Sequence, residues 1–216
     1  MGAQRILKRD SLGTVQLGTD GSERAVIRDT SEARWWARYL AAHLARREAT
    51  ALAVLDGQPG TPRLISFDGK ALKRTWLPGS PMYLGHPGSR QYFRRAQKLL
   101  FRMHRSGVAH NDLAKEANWI CMPDDRPAIV DFQLAIVSTR RGRLFRLLAR
   151  EDLRHLLKHK RRYLPEALTR RQHALLAQPS AAARLWRLWF KPPYHFVTRR
   201  ILGWPERDGP EERQQG

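Results

Sequence analysis

Two short polar stretches constrain this chain more than any other feature. One is His110-Asn111-Asp112-Leu113-Ala114-Lys115-Glu116-Ala117-Asn118; the other, Ile129-Val130-Asp131-Phe132-Gln133, places Asp131 nineteen residues after Asp112. Between them lie two apolar runs, Trp119 to Met122 and Ala128 to Val130, split by Pro123-Asp124-Asp125-Arg126-Pro127. Turn-forming residues between short apolar runs predict a β-hairpin. A hairpin brings the chain back to where it left, so Asp131 is expected beside Asp112 and Asn118. Any fold of this chain must therefore gather two carboxylates and a carboxamide on one loop system.

The flanking sequence predicts mixed α and β structure. Ile6-Leu7, Thr14 to Leu17 and Ala25 to Ile27 read as strands, with Asp20-Gly21 as the turn between the second and third. A helix follows, capped by Thr30 or Ser31, with Trp36, Leu40, Leu44, Leu52 and Leu55 as its apolar face. Glu48 falls on that face and requires a cationic or hydrogen-bonding partner there; as a surface residue it would pair with a neighbouring Arg instead. Residues 63–67 and 71–77 read as strands around Asp68-Gly69, and Pro78-Gly79-Ser80-Pro81 as a hinge. A second helix is capped near Ser89, turns Phe93, Ala96, Leu99, Leu100 and Met103 inward, and stops at Gly107. Residues 144–164 form another, with Leu144, Leu147, Leu148, Leu153, Leu156 and Leu157 inward.

The clustered residues suit one chemistry. Phosphoryl transfer needs a carboxylate to orient the attacking hydroxyl, and oxygen ligands to hold Mg²⁺ on nucleotide phosphates. In this setting His110-Asn111-Asp112-Leu113 resembles the H-R-D-L catalytic loop of the protein-kinase-like superfamily, and Asp131-Phe132-Gln133 its D-F-G segment. The wording is most similar to the small bacterial lipopolysaccharide-core (Kdo/heptose) kinases and RIO-type kinases, and the order of elements agrees over residues 6–138. The resemblance implies an α+β, two-lobed fold. Its N-lobe would be a small antiparallel β-sheet at 1–78 and its C-lobe a mainly helical, shortened one at 79–183. It implies ATP and Mg²⁺ as cofactors, Asp112 as catalytic base, Lys115 directed at the transferred phosphate, and His110 as support for the loop. Asn118 and Asp131 would be the metal ligands. Asp152 either braces the catalytic loop or faces solvent.

The chain also departs from that pattern. Ala25-Val26-Ile27-Arg28 stands where the family has V-A-I-K, so Arg28 would replace the phosphate-anchoring lysine and pair with Glu48, with Arg24 or Lys8 as substitutes. Only Leu12-Gly13-Thr14-Val15 echoes the glycine-rich loop, leaving Gly13 as its one trace. Asn118 sits one residue further from Asp112 than usual, and Gln133 replaces the last glycine of D-F-G.

Composition narrows the setting. Among 216 residues, 40 Lys+Arg face 20 Asp+Glu, a net charge of +20, and residues 139–216 carry +12 of it. Such a balance draws polyanions: phosphates, nucleic acid or an anionic membrane surface. One cysteine excludes an internal disulfide framework, and no window approaches the roughly 18 unbroken apolar residues of a membrane span. A tail at 184–216 interleaves Arg184, Arg187 and Lys191 with Trp186, Trp189 and Phe190. That mixture suits a membrane interface, a helix packed on the C-lobe, or, third, single-stranded nucleic acid. The expectation is a cytoplasmic, peripheral kinase at a bacterial inner membrane that phosphorylates a hydroxyl of a lipid-linked sugar or a protein Ser/Thr. A catalytically inactive adaptor of the same fold is the alternative.

Overall fold

The computed structural model describes residues 5–178, and the tail at 184–216 lies outside them. The described residues up to Leu176 form one compact unit. The architecture is mixed α+β with an antiparallel sheet. β1 (Arg5–Asp10), β2 (Gly13–Asp20) and β3 (Glu23–Asp29) form a meander. The turn between β2 and β3 closes where Asp20 pairs with Glu23 and Gly21 takes a φ of 60°. β4 (Leu64–Phe67) and β5 (Ala71–Thr75) complete a five-stranded sheet in the order β1-β2-β3-β5-β4. Asp68 builds the β4–β5 turn by accepting from the backbone N–H groups of Lys70 and Ala71, at 2.8 and 2.7 Å.

Between β3 and β4 the chain forms a 3-10 turn, Trp35–Ala37, and then α1 (Arg38–Val54). Two expectations fail here. Thr30 does not cap the helix; its hydroxyl donates to the Lys70 carbonyl at 2.7 Å, and α1 begins after Ala37 without a side-chain cap. The inward face is also different. Ala37, Ala41, Ala45, Glu48 and Leu52 are buried, whereas Trp36 and Leu40 are exposed and Leu44 is half-buried. Alanines let the helix approach β4, β5 and the 3-10 turn Phe132–Leu134 closely, and bulky residues in that register would hold it off. Glu48 lies inward as expected, on an alanine face rather than a leucine face.

The expected hinge ends in a short strand, Ser80–Pro81. β6 (Ser80–Pro81) joins β8 (Trp119–Met122), which joins β9 (Arg126–Ile129), in a second sheet of order β6-β8-β9. α2 (Met82–Gly85), a single turn that the sequence did not announce, leads to α3 (Arg90–Arg105). Ser89 caps α3 by accepting from the Tyr92 N–H at 2.9 Å, and the five residues expected inward are all buried. β7 (Val108–Ala109) pairs with β10 (Ile136–Val137) on either side of the polar loop system. α4 (Arg143–Tyr163), a 3-10 turn at Pro165–Ala167 and α5 (Arg170–Ala177) follow.

α4 turns Leu156 and Leu157 inward as expected, but its buried face also takes residues of other kinds. Phe145, Asp152, Leu156 and His159 are buried, Leu144 is exposed, and Leu147, Leu148 and Leu153 are half-buried. Their spacing of seven, four and three residues follows the helical period, with polar residues holding two of the inward positions. One core joins Leu52 and Leu55 of α1 to Tyr92, Leu100 and Met103 of α3, Trp119, Phe132 and Leu156. No helix among the described residues is long and apolar enough to cross a membrane.

Candidate active site

The loop after β7 is fixed from below by α4. Asp152 is fully buried, and its two carboxylate oxygens accept from consecutive backbone N–H groups, His110 at 2.8 Å and Asn111 at 2.9 Å. His104 Nε2 lies 3.1 Å from the same carboxylate. Asn111 has a φ of 63°, the left-handed region that asparagine tolerates better than most residues. Of the two readings of Asp152, the bracing one holds.

His110 is buried, and its Nε2 lies 3.0 Å from the Val130 carbonyl, so Nε2 carries the proton and donates. Its ring packs on Phe132 at a centroid distance of 4.7 Å. Burial pushes the imidazole pKa down, with the Asp152 carboxylate acting the other way. The residue is a neutral strut between loop and hairpin.

Asp112 projects from this braced loop. Lys115 Nζ donates to Asp112 Oδ2 at 2.7 Å, and this bond pushes the lysine pKa up. Asn118 Nδ2 donates to the Asp112 carbonyl at 2.9 Å and to Oδ2 at 3.1 Å. The 3-10 turn Glu116–Asn118 presents this carboxamide to the aspartate. Glu116 ties this turn to α4, accepting from Tyr163 Oη at 2.6 Å and Arg162 Nη1 at 2.9 Å. The Leu113 carbonyl contacts His159 Nε2 at 2.8 Å and accepts from Trp119 Nε1 at 3.3 Å. Glu116, His159 and Tyr163 went unmarked in the sequence because their partners are remote or are backbone atoms.

Across the hairpin, Asp131 stands at a φ of 67°. Arg28 Nη2 reaches Asp131 Oδ1 at 3.5 Å, and Arg28 Nε lies 3.3 Å from Glu48 Oε2. Gln133 completes the bridge: oriented to satisfy its neighbours, its amide nitrogen donates to Asp131 Oδ1 at 3.2 Å and its oxygen accepts from Arg28 Nη1 at 2.8 Å. Arg28 thus pairs with Glu48 as expected; Lys8 instead pairs with Asp10 at 2.7 Å, and Arg24 is exposed.

Glu48 has a second partner that sequence reasoning missed, Arg74 Nε at 3.2 Å. The signal was present in β5, where Leu72 and Arg74 share the buried side of the strand. Burial pushes the Arg74 pKa down and Glu48 works against that. Neither Glu48 oxygen has a well-aligned hydrogen bond, so both contacts are charge pairs rather than directed N–H···O bonds.

Gly13 has a structural explanation. Its φ is 115°, and a Cβ there would lie 2.0 Å from the Asp29 carbonyl oxygen, so the β2–β3 approach itself requires glycine. The β1–β2 connection is only Ser11-Leu12, held by Asp10 Oδ1 accepting from the Leu12 N–H at 2.8 Å.

No protein-family model and no curated protein matches this chain. Among the described residues there is no group of three or more His, Cys, Asp or Glu able to hold a metal ion. The donors on offer are carboxylate and carboxamide oxygens. Asp131 is 33% exposed and meets Arg28 through Oδ1, while Asn118 spends its amide nitrogen on Asp112. Two hard oxygen donors suit a small divalent cation that brings its remaining ligands as water or substrate oxygens.

Proposed function

We propose that this chain is an ATP-dependent phosphotransferase with a two-lobed, protein-kinase-like fold, acting on a hydroxyl acceptor. One observation carries the reading: Arg28 joins Glu48 of α1 to Asp131 of the hairpin turn, linking residues 103 positions apart. A link between a strand cation, a helix carboxylate and a candidate metal-binding aspartate is what the resemblance to kinases implies.

The roles follow from the contacts. The hydroxyl donates its hydrogen bond to Asp112, which holds the oxygen in line and takes the proton as the new P–O bond forms and the bond to the ADP oxygen breaks. Lys115 fixes the Asp112 carboxylate through its hydrogen bond and offers a cation to the transferred phosphoryl group. Arg28, steadied by Glu48 and Gln133, binds phosphate oxygens bidentately where a lysine would offer a point charge. Asn118 and Asp131 would hold Mg²⁺, which supplies charge neutralisation on the phosphates. His110 moves no proton. The acceptor we favour is a sugar hydroxyl on a lipid carrier such as a lipopolysaccharide core, with a protein Ser/Thr as the alternative.

The test is incubation with γ-labelled ATP, Mg²⁺ and a membrane-lipid extract. Asp112→Asn should lower label transfer by at least about a hundredfold, the usual scale for a positioned general base, while the melting curve stays put. Undiminished transfer by the variant refutes the assignment. A second reading, an inactive adaptor, draws on Arg28 in the lysine's place and on Gly13 being explained by strand contact alone. It predicts no Mg²⁺-dependent nucleotide binding by equilibrium dialysis.

A further inference from the structure

The outer face at the start of α1 leaves large side chains in solvent. Trp35 is 82% exposed, Trp36 58%, Tyr39 88% and Leu40 50%, while Ala33, Ala37 and Ala41, spaced four residues apart, are buried. Single exposed apolar residues are ordinary, but two indoles, a phenol and a leucine within six consecutive positions make a patch of the kind that marks an interface. The core already holds the alanines of this segment, so the aromatics have no packing role within the described residues.

Charge selects the occupant. Arg34 and Arg38 lie within the same exposed stretch, and Arg46 lies two turns further along α1. The nearest acid in sequence, Glu32, is spent on Arg9 at 3.3 Å, and Asp29 accepts from the Ser31 hydroxyl at 2.6 Å. A second copy of the chain would set these arginines against themselves. The chain's own residues 179–216 hold seven basic and four acidic residues, net +3, and are no better matched. An anionic bilayer satisfies both parts, since Trp and Tyr settle at headgroup depth and Arg meets lipid phosphate.

We propose that the exposed face of residues 34–40 docks on an anionic membrane surface, inserting Trp35, Trp36 and Tyr39 and placing Arg34 and Arg38 on lipid phosphates. The inference rests on exposure and charge alone. It complements a lipid-linked acceptor but does not depend on phosphoryl transfer.

The experiment uses the full chain, without nucleotide, and sucrose-loaded vesicles of phosphatidylglycerol and phosphatidylcholine in equal parts, read by sedimentation. Trp35→Ser/Trp36→Ser/Tyr39→Ser should bind at least about tenfold more weakly than the wild type. Arg34→Gln/Arg38→Gln should lose about fivefold per arginine on these vesicles and nothing on pure phosphatidylcholine. All the altered side chains are exposed, so unchanged circular-dichroism melting confirms that the variants fold. Equal binding by the triple aromatic variant overturns the proposal and assigns any lipid affinity elsewhere in the chain. So does absence of wild-type binding, or a dimer in sedimentation velocity that the triple variant abolishes. Asp112→Asn should bind vesicles like the wild type, so failure here and failure of the transferase reading remain separate results.

Discussion

Removing the Glu48 carboxylate tests the physics of the site without assuming any reaction. Glu48 is fully buried, and its partners Arg28 and Arg74 are only 13% and 10% exposed. At the observed separations and an effective dielectric near 20, each pair attracts by about 5 kcal/mol. Desolvation of the three ions, at several kcal/mol each, offsets most of that. The balance matters less than what a deletion leaves behind. Glu48→Ala strands Arg74 without a carboxylate, while Arg28 keeps Asp131 and Gln133. Uncompensated buried charge of this kind costs about 3–5 kcal/mol. For a unit of this size that lowers the melting temperature by about 10 °C. Arg28→Met/Glu48→Leu/Arg74→Met, which removes all three charges together, should return to within about 2 kcal/mol of the wild type, because apolar packing replaces a buried ion network at little cost. Urea unfolding followed by tryptophan fluorescence reads both. The reasoning is refuted if Glu48→Ala costs under about 1 kcal/mol, or if the triple variant is as unstable as Glu48→Ala.

Two further outcomes are expected. Asp152→Ala leaves the buried His110 N–H without an acceptor, at about 1–3 kcal/mol, and removes the Asn111 bond as well; Asp152→Asn should recover roughly half, and hydrogen exchange at those two amides should speed up in both variants. The imidazoles of His110, His155 and His159 all have pKa values pushed down by burial, His155 from 6.5 to about 4. A base whose folded pKa is depressed binds its proton only when the chain unfolds, so its contribution is intact above pH 6.5 and is lost as pH falls toward 4. The urea midpoint should therefore fall between pH 7 and pH 5, less steeply in His155→Gln; parallel slopes would count against this account.

Legibility in the sequence followed the range of the interactions. The meander and both hairpins were readable because their turns are built from local residues, with Asp20-Gly21 and Asp68-Gly69 closing on their own backbone. Asp112, Asn118 and Asp131 were readable because one hairpin unites them. The α1 face was not, since alanine carries little weight in a pattern of leucines and tryptophans yet permits the closest approach. Arg74 was hidden because a cation on the apolar side of a strand makes sense only once the buried carboxylate opposite it is seen. Asp152 stayed undecided for a related reason: its partners are backbone amides some forty residues away, and backbone donors leave no mark in a side-chain pattern.

The charge asymmetry acquires a physical account from these placements. With half as many acids as bases, the chain still commits a few acids to its interior: Glu48 and Asp152 are fully buried, and Asp112 and Glu116 are each only 14% exposed at the side chain. Around the candidate site three cations, Arg28, Arg74 and Lys115, face three carboxylates, Glu48, Asp131 and Asp112, so the cluster is locally neutral inside a chain of net charge +20. The excess must then lie outside this cluster, largely at the surface, where Arg34 and Arg38 border the exposed aromatics. The two regions should part under salt. At about 1 M the Debye length contracts to roughly 3 Å, which screens an exposed arginine from a lipid phosphate but hardly touches contacts buried beneath α1. Membrane attachment, if it runs through that face, is thus the salt-sensitive property, and the arrangement of Glu48, Arg28 and Asp131 is the insensitive one.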